Sequence, residues 1–173
     1  MEHMQPLVVM DNISLNLGHV LGCGRTGVVV EGTFEGQSVA IKILDIVKNP
    51  NLLSEMENEL LIYQTLSDLQ GQVIPKIKCY GDLWGMFRMI IMEPIGKFAS
   101  YPWSDDIKKK VIWCYKMLHK HHVLHNDVKD ENILVNEKGN AMIIDLALSR
   151  MDATSNKLNR EMHEVKRLLG CER

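Results

Sequence analysis

A run of glycines near the start of the chain could bind phosphate groups. Residues 21–29 read LGCGRTGVV, a G-x-G-x-x-G-x-V pattern that lies between two β-rich runs. Glycine lacks a Cβ, so its backbone can approach a phosphate closely. A dinucleotide-binding loop would instead join a strand to a helix, with an acidic residue about 20 positions later. The strand-to-strand position favours a loop over nucleotide phosphates, although an ordinary glycine-rich hairpin would carry the same pattern.

A lysine and a glutamate further along could form the charged part of the same site. Lys42 ends the sequence VAIK and shares a strand face with Ala40, because side chains alternate with a period of two. Apolar neighbours surround it, so its ammonium must reach an anion or a carboxylate. Glu55, Glu57 and Glu59 lie in the helical segment that follows, and Glu59 falls on the inward apolar stripe. We expect Glu59 to pair with Lys42 and the other two to face solvent.

The densest group of polar side chains is residues 125–132, which read HNDVKDEN, with Asp145 following after two apolar runs. Each carboxylate alone would be typical of a turn or a helix cap. Together with the glycine run, Lys42 and Glu59, and in this chain order, they resemble the signature set of protein kinases, H-R-D-x-K-x-x-N followed by D-F-G. The histidines between 119 and 125 lack companions at zinc-site spacing. We therefore interpret the set as a phosphoryl-transfer site.

The resemblance implies a catalytic role for each matching residue. Asp127 would be the base that accepts the proton of the attacking hydroxyl, and Lys129 would steady the γ-phosphate of ATP. Lys42, paired with Glu59, would hold the α- and β-phosphates. Phosphoryl transfer needs little covalent help from the protein and much neutralisation of charge, which explains these residue types.

The resemblance also implies the binding sites for Mg²⁺ and ATP. Oxygen atoms of Asn132 and Asp145 would ligate Mg²⁺, because a hard cation prefers oxygen. Met92 would be the gatekeeper, and the carbonyl of Glu93 and the N–H of Ile95 would meet the adenine edge. The full set implied for the nucleotide is Leu21, Gly22, Gly24, Gly27, Val29, Ala40, Lys42, Met92, Glu93, Ile95 and Leu134.

Three departures from the kinase pattern carry expectations of their own. Asn126 replaces the arginine of H-R-D, so switching through an activation-loop phosphate is not expected. Leu146 and Ala147 replace the last two residues of D-F-G, which predicts a segment that flips less easily. Only 28 residues follow Asp145, which predicts a much reduced helical lobe. Apolar surface on that lobe would then be covered by a partner or by a second copy.

Hydrophobic periodicity predicts the elements that position these residues. Strands are expected at residues 13–21, 28–34, 39–44, 73–80 and 86–92, with a helix over 51–66 that Ser54 could cap. A connection without regular structure follows at 94–102. The second half is expected to contain a helix from Asp105 to about 119–122, a hairpin of residues 132–135 and 141–146, and a final helix over 159–169.

These elements predict an α+β fold with two lobes like those of a protein kinase. The N-lobe, residues 10–93, would be an antiparallel five-stranded sheet plus one helix. Residues 94–102 would form the hinge, and residues 103–173 a reduced helical C-lobe. The whole chain of 173 residues would be one domain.

Composition excludes several other classes of protein. The chain is 46% hydrophobic and 24% charged, as folded domains are. Its net charge is −2 and its longest basic run is residues 108–110, so no nucleic-acid partner is expected. Four scattered cysteines and no signal peptide predict an intracellular protein, cytoplasmic or nuclear. No apolar run nears the roughly 20 residues that span a bilayer, so no membrane association is expected.

The function expected from the resemblance is transfer of the γ-phosphoryl group of ATP to a hydroxyl, with Mg²⁺. Lys129 in D-x-K favours a serine/threonine protein kinase with a protein acceptor. Two alternatives stay open. One is a nucleotide-binding pseudokinase or ATPase subunit that acts through a partner, and the other is a small-molecule phosphotransferase.

Overall fold

The computed structural model describes residues 8–9, 14–94, 96–98, 102–136 and 138–172. Its upper lobe is a six-stranded sheet in the order β1-β5-β6-β4-β3-β2, with one helix, α1. The elements are β1 (Val8–Val9), β2 (Leu15–Gly24), β3 (Gly27–Phe34), β4 (Gln37–Asp45), α1 (Leu53–Thr65), β5 (Ile77–Leu83) and β6 (Phe87–Met92). Strands β2 to β6 pair antiparallel, which confirms the predicted five-stranded sheet. The two-residue β1, absent from the prediction, pairs parallel with β5.

Alternation of side chains gives the upper sheet two buried faces. Val39 and Ile41 on β4 pack with Val30, Phe34, Met89 and Ile91 on one face. Ala40 and Leu44 point the other way, toward Met56 and Leu60 of α1. Lys42 shares this second face, because residues two apart on a strand lie on the same side. Strand β4 therefore carries a lysine into the space between the sheet and α1.

Helix α1 begins without the predicted cap. Residues 50–52 form a short 3₁₀ turn, Leu52 occupies the N-cap position, and no side chain caps the helix. The expectation that Ser54 caps it is wrong, because Ser54 already lies inside the first turn. The second half of the helix is buried in the lower lobe, where Ile62, Tyr63 and Leu66 join its core. A single helix therefore ties the two lobes together.

The lower lobe contains a three-stranded antiparallel sheet and two helices. Its elements are β7 (Lys97–Phe98), α2 (Asp105–Lys120), β8 (Ile133–Val135), β9 (Ala141–Ile143) and α3 (Ser155–Leu168). The sheet order is β7-β8-β9, and β8 pairs with β9 as the predicted hairpin. Ser104 caps α2, its hydroxyl accepting a hydrogen bond from the amide of Ile107 at 3.3 Å. The few helices agree with the expected reduced helical lobe.

Several predicted boundaries differ from the structure; strand β2, for example, extends to Gly24 rather than to residue 21. Residues 73 and 74 were expected in a strand, but Val73 and Ile74 are buried in the lower core, and the carbonyl of Val73 accepts a hydrogen bond from Ile143. The hairpin strands are shorter than expected, because residues 130–132 and 146–148 form 3₁₀ turns. Helix α3 starts four residues earlier than expected, at Ser155.

The connection between the lobes also contains a strand that was not expected. Lys97 and Phe98 pair with Val135 and Leu134 of β8. Gly96 makes the close approach possible: its φ is +88°, and a Cβ there would lie 2.3 Å from the carbonyl oxygen of Val135.

Among the described residues, no helix is both long and apolar enough to span a bilayer.

Candidate active site

The ammonium group of Lys42 lies between two carboxylates from different parts of the fold. Lys42 is on β4, opposite Val29 and Ile90 of the flanking strands, and is only 5% exposed. Its Nζ donates to Oε2 of Glu59 on α1 at 2.6 Å and to Oδ1 of Asp145 at 3.0 Å. Asp145 follows β9 in a left-handed conformation, with φ 61°. The structure thus brings the predicted lysine, glutamate and aspartate into direct contact.

This cluster combines one ammonium with two carboxylates, a formal excess of one negative charge. Burial disfavours the ammonium of Lys42, but the charges of Glu59 and Asp145 outweigh burial and raise the pKa of Lys42. Burial raises the pKa of Glu59, and the nearby lysine offsets only part of that rise. Lys42 therefore stays protonated, and the excess charge makes the cluster a favourable environment for a bound cation.

The three glutamates of α1 each have a separate cation. Glu59 is the buried partner of Lys42, as expected. Glu57 is half exposed and reaches Arg88 at 3.2 Å. Glu55 was expected to face solvent, but its side chain is only 20% exposed and binds Arg25 of the glycine loop through both oxygens, at 2.8 and 2.6 Å. Helix α1 is therefore joined to the glycine loop as well as to β4.

A cavity of about 360 Å³ opens beside Lys42, between the two lobes. Among the residues predicted to bind the nucleotide, eight line it: Leu21, Gly22, Gly24, Gly27, Val29, Lys42, Met92 and Leu134. Ala40 and Glu93 are not among the lining residues, and Ile95 lies outside the described residues. The cavity is also lined by Tyr63, Phe98 and Ile144, which the sequence analysis did not select. Its walls are mainly apolar, and we call the part lined by the mutually bonded Lys42, Glu59 and Asp145 its charged end.

The glycine loop covers the charged end of this cavity. Gly27 has φ +131°, and a Cβ there would lie 2.1 Å from the carbonyl oxygen of Ile43, so only glycine fits. A Cβ built on Gly24 would lie 3.8 Å from Oδ2 of Asp145. A phosphate chain under this loop would therefore meet Asp145 and Lys42 together.

The loop of residues 125–132 brings a further carboxylate, that of Asp127, close to the cavity. Asp127 accepts hydrogen bonds at Oδ2 from Lys129 at 2.6 Å and from the amide of Asn132 at 2.9 Å. Burial alone would raise the pKa of Asp127, but these two hydrogen bonds outweigh it and lower the pKa below its ordinary value. Lys129 and Asn132 line the cavity, whereas Asp127 does not. Asp127 is thus an ionised hydrogen-bond acceptor next to the cavity.

The predicted ligands of Mg²⁺ fit that ion by the chemistry of their donor atoms. The amide nitrogen of Asn132 makes its hydrogen bonds to Asp127, so the amide oxygen is the atom that can ligate a cation. Asn132 and Asp145 both line the cavity. No group of three or more His, Cys, Asp or Glu side chains suited to a metal occurs among the described residues. Two protein oxygens suit Mg²⁺, which takes its remaining ligands from phosphates and water.

The family of the chain follows from its match to known sequences. A family model described as the protein kinase domain matches residues 15–166, most of the chain. The chain belongs to the protein kinase family. This assignment agrees with the order of glycine loop, Lys42, Glu59, Asp127 and Asp145 along the sequence.

Several curated protein kinases are similar to this chain at low identity. Stress-activated protein kinase alpha of Dictyostelium discoideum is 25% identical over 90% of this chain and 26% of its own length. A probable serine/threonine-protein kinase of the same organism is 30% identical over 86% of this chain and 16% of its own. CBL-interacting serine/threonine-protein kinase 16 of Arabidopsis thaliana is 25% identical over 79% of this chain and 32% of its own length. The chain thus spans less than a third of the length of these relatives.

Contacts from several directions hold residues 145–147, the Asp-Leu-Ala segment, in place. Leu146 is fully buried in the lower core, and its backbone amide hydrogen-bonds to Glu59. The side-chain amide of Asn58 donates to the carbonyls of Ala147 at 2.9 Å and of Ser149 at 3.0 Å. These contacts join the segment to α1; that it flips less easily stays a prediction.

Glu161 of α3 is a functional candidate that the sequence analysis missed. It is 3% exposed and accepts hydrogen bonds from the amides of Asn126 at 2.6 Å and His125 at 3.2 Å, and from Nε2 of His119 at 2.6 Å. Asn126, which replaces the arginine of the kinase motif, has φ 66°. A buried carboxylate thus holds the backbone just before Asp127. Its position on the apolar stripe of the final helix was the available signal.

Replacing Glu161 with alanine is expected to lower the free energy of unfolding by roughly 3 kcal/mol at pH 7, because the buried amide of His125 and the partly buried amide of Asn126 lose their acceptor. Burial would raise the pKa of Glu161, but His119 and the two amides lower it below its ordinary value of 4.5. Because folding lowers its pKa, the ionised Glu161 carboxylate stabilises the folded state at pH values above its pKa in the unfolded chain. This stabilisation is lost as the pH falls through the pKa of the folded state. The difference in stability should therefore hold from pH 7 to 5 and narrow below about pH 4.5.

Urea unfolding measured across this pH range checks the expectation. Glu164→Ala is the matched control, since Glu164 is an exposed acid on the same helix. It should change stability by no more than about 0.5 kcal/mol. Equal stability losses in the two variants would contradict the assigned role of Glu161.

Proposed function

We propose that this chain transfers the γ-phosphoryl group of ATP to a serine or threonine hydroxyl of a protein, with Mg²⁺ as cofactor. The observation that supports it most is the 3.0 Å contact between Lys42 and Asp145 beside the cavity. It joins a cation from the upper sheet to a predicted metal ligand from the lower lobe, under a glycine loop. The serine/threonine type is supported by Lys129 and by the names of the similar kinases.

The proposed binding mode places adenine in the apolar part of the cavity and phosphates at its charged end. Val29, Met92 and Leu134 belong to one apolar cluster with Ala40 and would sandwich the base. The carbonyl of Glu93 would accept from the adenine edge. The Lys42 ammonium would neutralise the α- and β-phosphates, held in place by Glu59. When bound through Asn132 and Asp145, Mg²⁺ would supply further charge neutralisation on the phosphate oxygens.

The proposed transfer needs one acceptor for the proton of the substrate. The acceptor oxygen forms a bond to the γ-phosphorus while the bond from that phosphorus to the β–γ bridging oxygen breaks, and ADP leaves. The hydroxyl proton goes to the carboxylate of Asp127, whose lowered pKa keeps it ionised at neutral pH. Lys129 orients that carboxylate and, because it also lines the cavity, would steady the γ-phosphate.

Thermal denaturation with nucleotide tests the binding part of the proposal. ATP at 100 times its dissociation constant should stabilise the folded state by about 2.7 kcal/mol when Mg²⁺ is present. The same ATP concentration with EDTA should stabilise it less, because the phosphates lose the cation that Asn132 and Asp145 would hold. Identical melting curves with and without nucleotide would contradict a nucleotide site here.

Incubation with γ-labelled ATP and generic protein acceptors tests the transfer itself. Label on serine or threonine of the acceptor is the expected result. Stabilisation by ATP without transfer would contradict the kinase and favour a nucleotide-binding subunit that acts through a partner. Label on a metabolite but on no protein would favour a small-molecule phosphotransferase.

Self-association through the lower lobe, where Trp113 and Met151 are exposed apolar residues, stays a prediction.

A further inference from the structure

A second cavity, of about 410 Å³, lies on the other side of the loop that carries Asp127. We call it the basic groove. One wall is the loop itself, through Leu124, Asn126 and Val128, and the other is α3 with Arg150. The residues lining it on that second wall are Arg150, Lys157, Arg160, Glu161 and Glu164.

The basic groove contains three cations without carboxylate partners. Arg150, Lys157 and Arg160 are exposed, and within the described ranges none of them forms an ion pair. Glu161 makes no ion pair with them, because its buried carboxylate is bound by His119 and by two backbone amides, and the groove lining still has one more cation than carboxylates. Glu164 is then the one acidic lining residue that faces solvent. The positive charge is local, since the chain as a whole carries a net charge of −2.

The basic groove is next to the proposed base along the chain. Asn126 and Val128, the residues on either side of Asp127, both line the groove. An extended peptide advances about 3.3–3.6 Å per residue. A peptide that presents its hydroxyl at Asp127 could therefore place a residue a few positions away into the basic groove.

We propose that the basic groove binds the carboxylates of the acceptor, so that the kinase prefers serine or threonine in an acidic peptide. This inference rests on the proposed function. The guanidinium groups of Arg150 and Arg160 can each bind a carboxylate through two parallel hydrogen bonds. A nucleic acid fits less well, because a strand needs a longer basic track with aromatic residues for stacking, and the groove lining contains no aromatic residue.

Fluorescence anisotropy with two labelled peptides tests the inference without requiring catalysis. One twelve-residue peptide has a single serine flanked by glutamates, and the other has glutamine at every glutamate position. The glutamate peptide should bind at least about 10-fold more tightly, and the difference should shrink as salt rises. The variant with Arg150→Gln, Lys157→Gln and Arg160→Gln should bind the glutamate peptide about 10-fold more weakly than the unaltered protein.

A charge-matched variant controls for the loss of three positive charges. Lys109→Gln, Lys116→Gln and Arg167→Gln remove three exposed cations that do not line the basic groove. This variant should keep the affinity for the glutamate peptide within about twofold. Equal losses in the two triple variants would overturn the inference, and so would equal binding of the two peptides. Circular dichroism spectra that match the unaltered protein establish that both variants are folded.

Two further measurements separate this inference from its alternatives. Single-stranded RNA that binds the groove as tightly as the glutamate peptide, and loses affinity in the groove variant, would overturn it in favour of a nucleic-acid site. Transfer to both peptides at equal rates would overturn the inference alone and leave the kinase function standing. Tight binding of the glutamate peptide with no transfer to any acceptor would overturn the kinase function, while the carboxylate site would remain.

Discussion

Replacing Asp127 with asparagine is expected to lower the rate constant of phosphoryl transfer by about 10²–10⁴-fold. Asparagine keeps the shape of the side chain and can still accept from Lys129 or Asn132, but it cannot take the proton of the attacking hydroxyl. Asp127 does not line the cavity beside Lys42, so the affinity for ATP should change little. Initial rates of transfer from γ-labelled ATP to a protein acceptor measure the first effect. Thermal stabilisation by ATP measures the second.

Asp130→Asn is the control for this prediction. Asp130 lies three residues later in the same loop and is exposed, and the substitution makes the same chemical change. Its transfer rate should stay within about a factor of two of the unaltered protein. If Asp127→Asn transferred phosphate as fast as this control, Asp127 would not be the base.

Replacing Lys42 with methionine is expected to lower the free energy of unfolding by about 3–5 kcal/mol, because Glu59 and Asp145 would be left as uncompensated carboxylates. ATP binding should be lost as well, since the ammonium is the cation at the charged end of the cavity. Without the lysine, burial would raise the pKa of Glu59 further, and the folded state would take up a proton. An acid whose pKa is higher in the folded state than in the unfolded state stabilises the folded state increasingly as the pH falls. The stability deficit should therefore shrink between pH 8 and pH 5.

A double-mutant cycle tests whether this loss belongs to the Lys42–Glu59 pair. Glu59→Gln alone also breaks the pair, whereas the double variant removes both charges. The double variant should be less destabilised than the sum of the single ones by roughly 0.5–3 kcal/mol. Lys48→Met, at a side chain that is 82% exposed, should change stability by no more than about 0.5 kcal/mol. A Lys42→Met protein as stable as this control would contradict the buried cluster.

Local sequence patterns determined much of the upper lobe. Alternation around Lys42 predicted its strand and the face it shares with Ala40, because the two-residue period of a strand is a property of neighbouring residues. The glycine run was predictable in the same way, and Gly27 shows why only glycine fits there. The pairing of Glu59 with Lys42 was predicted from the apolar stripe of a helix, and the structure contains that contact. The catalytic and ligand roles of these residues stay predictions that the experiments above test.

Contacts between segments far apart in the chain could not be predicted from those local patterns. Lys97 and Phe98 form a strand because their backbone pairs with β8, a segment more than 30 residues later in the chain. The apolar stripe of the final helix marks Glu161 as an inward residue, but only the fold shows that it accepts a hydrogen bond from the amide of Asn126, 35 residues earlier in the chain. The basic groove likewise needs α3 to pack beside the loop of residues 125–132.

The sequence by itself determined the family, the order of the motifs and the faces of individual strands and helices, because these depend on residue type and short spacing. The tertiary structure alone decided which acid supports the loop of Asp127, where the lobes join and which cations converge, because these depend on packing between segments far apart in the chain.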